Sequence, residues 1–199
     1  MKKILLCIAG LLFSSGVFAQ KDSLAFDENN KYIYYKTVDQ PGFIADTLYN
    51  RGLYFVTKAY PAKVLKLAKA DKDANALTGA GVFMVNKKNL LGSSEGGELA
   101  YTLKVEVKDG KYRYWLTDFV YQPYQRNRYG NVEPIAGGDI ALEKASDKLS
   151  KPDFNAYLNQ LVVNSKQVGD NLKAYMLKTS SLVKKPEVKK PNRISTKEW

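Results

Sequence analysis

The alternation of apolar and polar residues changes period along the chain and predicts a strand, a helix, four strands and a second helix. Aromatic and β-branched residues fill segment 32–38, which is typical of a strand. From residue 44 the apolar residues take helical spacing until Pro61, which cannot continue a helix. Further strands are predicted over 63–68 and 76–86, and the glycine-rich segment 92–97 is expected to be a flexible connector.

The clearest local pattern is a hairpin made of strands 99–107 and 112–121. Asp109 and Gly110 stand at the centre of its connection, and this pair favours a type I′ turn. The turn places Lys108 opposite Lys111 and so predicts the whole register. One face is expected to lie on the core. The other should face water or a partner, and it holds Lys104, Glu106, Arg113, Trp115 and Phe119.

The second half of the chain predicts a long loop, one long helix and a tail. Segment 122–139 contains two prolines and three glycines and is expected to be irregular. The helix opens at Lys151 and should fade near Lys178. Segment 179–199 is rich in lysine and proline and is expected to be disordered. The helix carries an apolar seam interrupted by one serine: Phe154, Leu158, Leu161, Ser165, Val168, Leu172 and Tyr175.

The N-terminal residues predict export. Two lysines precede an apolar run over 4–13, and small residues lead to a predicted cleavage after Ala19. The apolar run is about half the length that crosses a bilayer, so no transmembrane anchor is expected after cleavage. We therefore expect a signal peptide over 1–19, a polar leader over 20–31, and a periplasmic or extracellular protein.

Composition removes several kinds of chemistry. The 199 residues include no histidine, and the single cysteine, Cys7, lies in the predicted signal peptide. Triads and metal sites that need histidine or cysteine are therefore excluded from the mature chain. The formal charge is +11, but residues 178–199 contribute +5 of it and residues 20–177 only +4. The basic character is thus no evidence for a nucleic-acid-binding body.

The order of the elements predicts an α+β fold over 32–178, in which a five-stranded antiparallel sheet carries two helices on one face. Three motifs agree: 48–51 (Leu-Tyr-Asn-Arg), 108–114 (Lys-Asp-Gly-Lys-Tyr-Arg-Tyr) and 116–119 (Leu-Thr-Asp-Phe). Together they resemble the mostly exported bacterial family called domain of unknown function 4468. This resemblance implies a curved sheet with a fold like that of the TATA-box-binding protein (TBP). It implies no catalytic residues.

Acidic residues are the only candidates left for catalysis. The register places Asp118 on the core face opposite Tyr101, where it would act as a general acid or merely accept a hydrogen bond. Glu95 lies within the glycine-rich segment and Glu98 follows it, but their spacing matches no calcium loop. We expect no enzyme activity, no cofactor and no metal site.

Binding is better supported by the pattern of aromatic and basic residues. Trp, Tyr and Arg dominate interaction hot spots, and long loops often carry function. The alternative is that the leader, the loop or the tail covers these side chains. The candidate binding residues, on the open sheet face and the adjoining loop, are Lys104, Arg113, Trp115, Phe119, Tyr121, Tyr124, Arg126, Arg128 and Tyr129.

The expected function is that of an exported cell-envelope binding or scaffolding module, whose partner is an unidentified envelope protein or polymer. A hydrolase that uses carboxylates alone is the alternative. An extracellular nucleic-acid binder is a further one, although no nucleic acid is expected.

The resemblance also implies that strand 32–38 lies beside the last strand of the hairpin and exposes its outer edge. An exposed edge is a template for pairing. We therefore expect either a homodimer through 32–38 or coverage of that edge by residues 20–30.

Overall fold

The computed structural model describes residues 24–89 and 92–178. The predicted signal peptide and the predicted tail (179–199) lie outside the described residues. The helices are α1 (Ala45–Lys58), α2 (Leu142–Ala145) and α3 (Lys151–Leu177). The strands are β1 (Ala25–Phe26), β2 (Tyr32–Asp39), β3 (Leu65–Asp71), β4 (Ala76–Asn89), β5 (Gly92–Lys108), β6 (Lys111–Arg126), β7 (Val132–Pro134) and β8 (Ile140–Ala141).

The strands form one antiparallel sheet in the order β1-β2-β6-β5-β4-β3. The short strands β7 and β8 both pair with β6, which makes eight strands in the described part of the chain where five were expected. The five predicted strands are all present, and β2 lies beside β6 as the resemblance implied. The α+β class is therefore confirmed.

Both long helices pack on the same face of the sheet. Helix α1 contacts β3, β4 and β5, and α3 contacts α1 and β4. The seam predicted for α3 lies against the core, with Leu161, Ser165, Val168 and Leu172 buried. No helix within the described residues has the length and apolar character needed to cross a bilayer.

The long helix α3 begins where its sequence predicts and approaches the sheet closely at one glycine. The Ser150 side chain caps it by accepting a hydrogen bond from the Asp153 N–H at 3.3 Å. Further along, a Cβ atom on Gly169 would lie 1.9 Å from the Tyr114 hydroxyl. Glycine is therefore needed there, because a larger residue would push the helix off β6.

The β5–β6 register follows the prediction from the turn as far as Thr102, which pairs with Thr117. It then shifts by one residue, and Ala100 pairs with Val120. Asp118 takes a positive φ of 53° at this point, so the shift is a β-bulge that inserts one extra residue into β6. Phe119, Val120 and Tyr121 therefore face the opposite way from the prediction.

Three local predictions were wrong. Only Gly110 of the turn pair has a positive φ, whereas a type I′ turn requires it at both positions. The Asp109 carboxylate instead accepts a hydrogen bond from the Ala45 N–H at 2.7 Å, at the start of α1. Segment 92–97, predicted to be a connector, forms part of β5. Much of the predicted loop 122–139 is taken up by the end of β6 and by β7.

The described part of the leader forms a hairpin with the first strand. Ala25 pairs with Ile33 and Phe26 with Tyr32, so β1 covers the beginning of the outer edge of β2. The hairpin turn is held by Asp27, whose Oδ1 accepts hydrogen bonds from the N–H groups of Asn29 and Lys31 at 2.9 and 2.8 Å. The leader is therefore structured from residue 24 onward.

Candidate functional site

The face of the sheet opposite the two long helices carries the half-buried side chains that alternate with the core residues of β5 and β6. We call it the open face. In β2 the same alternation buries Tyr34 and leaves Tyr35 on the open face, 46% exposed. The open face therefore gathers side chains from three adjacent strands.

Trp115 lies at the centre of this group. It pairs with Tyr35 on one side and with Lys104 on the other. The rings of Tyr35 and Trp115 are 6.3 Å apart between centroids, at an interplanar angle of 39°. The Lys104 Nζ lies 5.8 Å from the Trp115 ring centroid, and the Arg113 guanidinium carbon lies 5.4 Å from it. Two cations and a second ring thus surround one half-buried indole.

Arg113 is fixed by a carboxylate of the neighbouring strand. Its Nε and Nη2 donate to Glu106 Oε2 at 2.8 and 2.5 Å. This contact, followed by the nearby Tyr35 hydroxyl, raises the pKa of Arg113. Tyr35 accepts a hydrogen bond from the Thr37 hydroxyl at 3.1 Å, which, together with Arg113, lowers the pKa of Tyr35. The guanidinium is therefore held in place, and the Glu106 carboxylate offsets its charge.

The β1–β2 turn forms a wall beside this group. The Lys31 Nζ lies 2.5 Å from Asp118 Oδ1, and this ion pair joins the turn to the bulge of β6. The pKa of Lys31 is raised by its hydrogen bond and charge interaction with Asp118. Between the turn and the open face lies a cleft of about 710 Å³ that includes Trp115 and Lys104. The size is that of a small-ligand site.

Two of the predicted binding residues do not reach the open face. Phe119 and Tyr121 are 1% and 3% exposed and belong to the core, because the bulge turns them toward the helices. The Tyr121 hydroxyl donates to the Gly96 carbonyl at 2.7 Å. Asp118 was expected on the core face, but its side chain is 40% exposed.

The remaining four predicted residues lie at the far end of β6 or in the turn just beyond it. Arg126 ends that strand, eleven positions from Trp115, which corresponds to about 35 Å of extended chain. The Tyr124 hydroxyl donates to Glu98, and burial followed by this carboxylate raises the pKa of Tyr124 to about 12. Arg128 lies 4.9 Å from the ring of Tyr129, which is 73% exposed. These four residues do not share a surface with Trp115.

The acidic residues considered for catalysis also lie apart from one another. Glu98 binds Tyr124, and Asp118 binds Lys31. Within 24–89 and 92–178, no three acidic side chains come close enough to hold a metal ion. Tyr35 and Lys31 also belong to the site, although neither was predicted there from the sequence. The alternation within 32–38 puts Tyr35 on the face of Trp115 once β2 is placed beside β6.

The order of the strands and the placement of both helices on one face resemble those of known proteins. Residues 34–122 match the family model described as domain of unknown function (DUF4468) with TBP-like fold. The family resemblance seen in the sequence is thereby confirmed over these residues. Comparison with curated proteins found no match.

Two solved structures share this fold. A DUF4468 family protein from Bacteroides ovatus ATCC 8483 has a TM-score of 0.58 at 12% identity, over 79% of this chain and 92% of that one. A TBP-like protein from Parabacteroides distasonis ATCC 8503 has a TM-score of 0.53 at 14% identity, over 74% of this chain and 96% of that one. The chain therefore has a TBP-like α+β fold.

Proposed function

We propose that this protein is an exported, non-catalytic binding module of the cell envelope that holds its partner on the open face around Trp115. The observation that carries the proposal is the cluster itself. A half-buried indole lies between Lys104, Arg113 and Tyr35 on the face that the two long helices leave free. Tryptophan, tyrosine and arginine are the residue types that contribute most to binding hot spots.

The chemistry of the described residues supports binding over catalysis. Two carboxylates beside the cluster are engaged in ion pairs, Glu106 with Arg113 and Asp118 with Lys31. A general acid or base would need a carboxyl group poised to exchange a proton with a substrate. Export is supported by the pattern of residues 1–19, in which basic, apolar and small residues follow one another.

The experiment measures binding to the envelope of the native host. The mature chain beginning at Gln20 is sedimented with an isolated envelope fraction, and the bound fraction is determined. We expect Trp115→Ala to weaken binding by about tenfold, as is common for a central aromatic residue. The same preparation gives the native N-terminus by sequencing, which is expected at Gln20.

The control is an exposed aromatic residue on a helix. Tyr54 of α1 is 40% exposed and packs against Tyr175 of α3, so Tyr54→Ala should leave binding unchanged. High salt suppresses attachment through the basic segment 179–199, so the measurement is repeated at high salt. Equal binding of wild type and Trp115→Ala at high salt would contradict the proposal, as would retention of Met1 in the host.

A further inference from the structure

The charges around the cleft nearly cancel. Three basic side chains line it, namely Lys31, Lys104 and Arg113. Four acidic side chains line it as well: Asp27, Glu28, Glu106 and Asp118. Polyanions bind proteins through cations that replace counterions, and their affinity falls steeply with salt. A cleft with more acidic than basic groups does not fit a polyanion.

Pairing removes most of the remaining positive charge. Arg113 is held by Glu106, and Lys31 is held by Asp118. Among the residues that the structure describes, Lys104 makes no ion pair. One such lysine is too little to hold a phosphodiester or sulfate chain. Recognition of a ligand in this cleft must therefore depend on something other than net charge.

The cleft combines exposed rings with a dense rim of donors and acceptors. Phe26, Tyr35 and Trp115 line it, and the first two are 59% and 46% exposed. The two ion pairs and the amide of Asn29 also line the cleft and supply hydrogen-bond donors and acceptors beside the rings. A pyranose ring has the complementary form, since its faces carry C–H groups and its rim carries hydroxyls that both donate and accept.

From this complementarity we propose that the cleft binds a neutral glycan chain, with one sugar ring stacked on Trp115 and its hydroxyls bonded to the Arg113–Glu106 pair. This inference rests on the proposed function and names its ligand class. The cleft volume of about 710 Å³ admits an oligosaccharide segment. The absence of a strong net charge in the cleft predicts that binding is insensitive to salt.

The test uses Trp115 as the reporter. The chain has two tryptophans, so Trp199→Phe in the full mature protein leaves Trp115 as the only one. Its emission is followed during titration with chitohexaose, cellohexaose and maltohexaose, and separately with polygalacturonate and a single-stranded oligonucleotide. We expect at least one neutral hexasaccharide to shift the emission saturably. The affinity should be equal at about 50 and about 200 mM salt, whereas a polyanion site would weaken steeply over that range.

Two substitutions in the wild-type background, measured by calorimetry, locate the site. Trp115→Ala should weaken binding of the neutral hexasaccharide by about tenfold or more, the effect of losing a stacked ring. Tyr54→Ala should leave it unchanged, because Tyr54 lies on α1 and packs against Tyr175, away from the cleft. Urea midpoints confirm that both variants remain folded.

The results of these measurements distinguish a wrong ligand class from a wrong function. Binding of polygalacturonate or the oligonucleotide alone, lost at higher salt, would overturn the glycan assignment. The glycan assignment would also be overturned if no neutral hexasaccharide bound while Trp115-dependent binding to the envelope fraction persisted. In that case the proposed function would survive. Saccharide binding that is unaffected by Trp115→Ala would also overturn the glycan assignment.

Discussion

At the scale of single residues, Asp118 decides which aromatic side chains of β6 enter the core. Its positive φ marks the extra residue of the bulge, and the next residue, Phe119, is buried as a result. The sequence contains the signal for this shift. The apolar residues Tyr112, Tyr114 and Leu116 follow alternate positions, but the next buried pair, Phe119 and Tyr121, falls on the other parity. A regular strand cannot bury all five residues on one face.

A substitution series at Asp118 tests the conformation of the bulge. Glycine adopts positive φ freely, whereas a β-branched residue resists it. We expect Asp118→Val to lower the free energy of unfolding by about 1–2 kcal/mol and Asp118→Gly to leave it nearly unchanged. The Lys31 ion pair is lost in both variants, so the difference between them reports the backbone. Equal urea midpoints for the two would contradict a left-handed Asp118.

At the scale of elements, the β5–β6 turn also caps a helix. Ile44 gives helix α1 no side-chain cap, and the Asp109 carboxylate accepts from the Ala45 N–H instead. Two backbone hydrogen bonds fasten the same turn: the Gly110 N–H donates to the Phe43 carbonyl at 2.8 Å, and the Gln40 N–H donates to the Gly110 carbonyl at 2.7 Å. The hairpin turn and the start of the helix are therefore a single unit, which explains why Asp109 does not take the turn geometry predicted from its sequence.

Two variants of Asp109 test this cap. We expect Asp109→Ala to lower the free energy of unfolding by about 1 kcal/mol, because the first turn of α1 loses an acceptor. Asp109→Asn keeps an oxygen at the same place and should cost clearly less. Chemical denaturation of both variants at one pH gives the comparison. If asparagine and alanine were equally destabilising, the carboxylate would act through its charge and not as a hydrogen-bond acceptor.

The sequence predicted elements well where one local pattern decides them. Both long helices and the five main strands follow from periodicity and from stop residues such as Pro61. The site was predicted only in part: Lys104, Arg113 and Trp115 lie together, while Phe119 and Tyr121 do not. A register drawn from one turn holds only until the first bulge. The approach of Lys31 to Asp118 depends on tertiary packing and has no local signal.

At the scale of the whole molecule, the titratable groups leave a wide pH range in which little changes. The sequence has no histidine, so no side chain of the chain beginning at Gln20 has its ordinary pKa near neutrality. At the acid end, the Ser150 hydroxyl followed by Lys87 lowers the pKa of Asp153, while the Ala74 N–H followed by Lys69 lowers that of Asp71. At the alkaline end, burial raises the pKa of Tyr101, Tyr112 and Tyr121.

These shifts predict a flat stability profile between about pH 5 and about pH 9, with a loss at each end. Stability from a lowered carboxyl pKa is present above the unfolded value of about 4 and is lost as the pH falls through the folded value. A raised tyrosine pKa acts in the opposite sense. The stability that it contributes is complete below the unfolded pKa of about 10. This stability is lost as the pH rises toward the folded pKa, which for Tyr124 is about 12. Urea midpoints of the chain beginning at Gln20, measured across this range, give the profile. A step between pH 6 and pH 8 would contradict the prediction, because no side chain of that chain ordinarily titrates there.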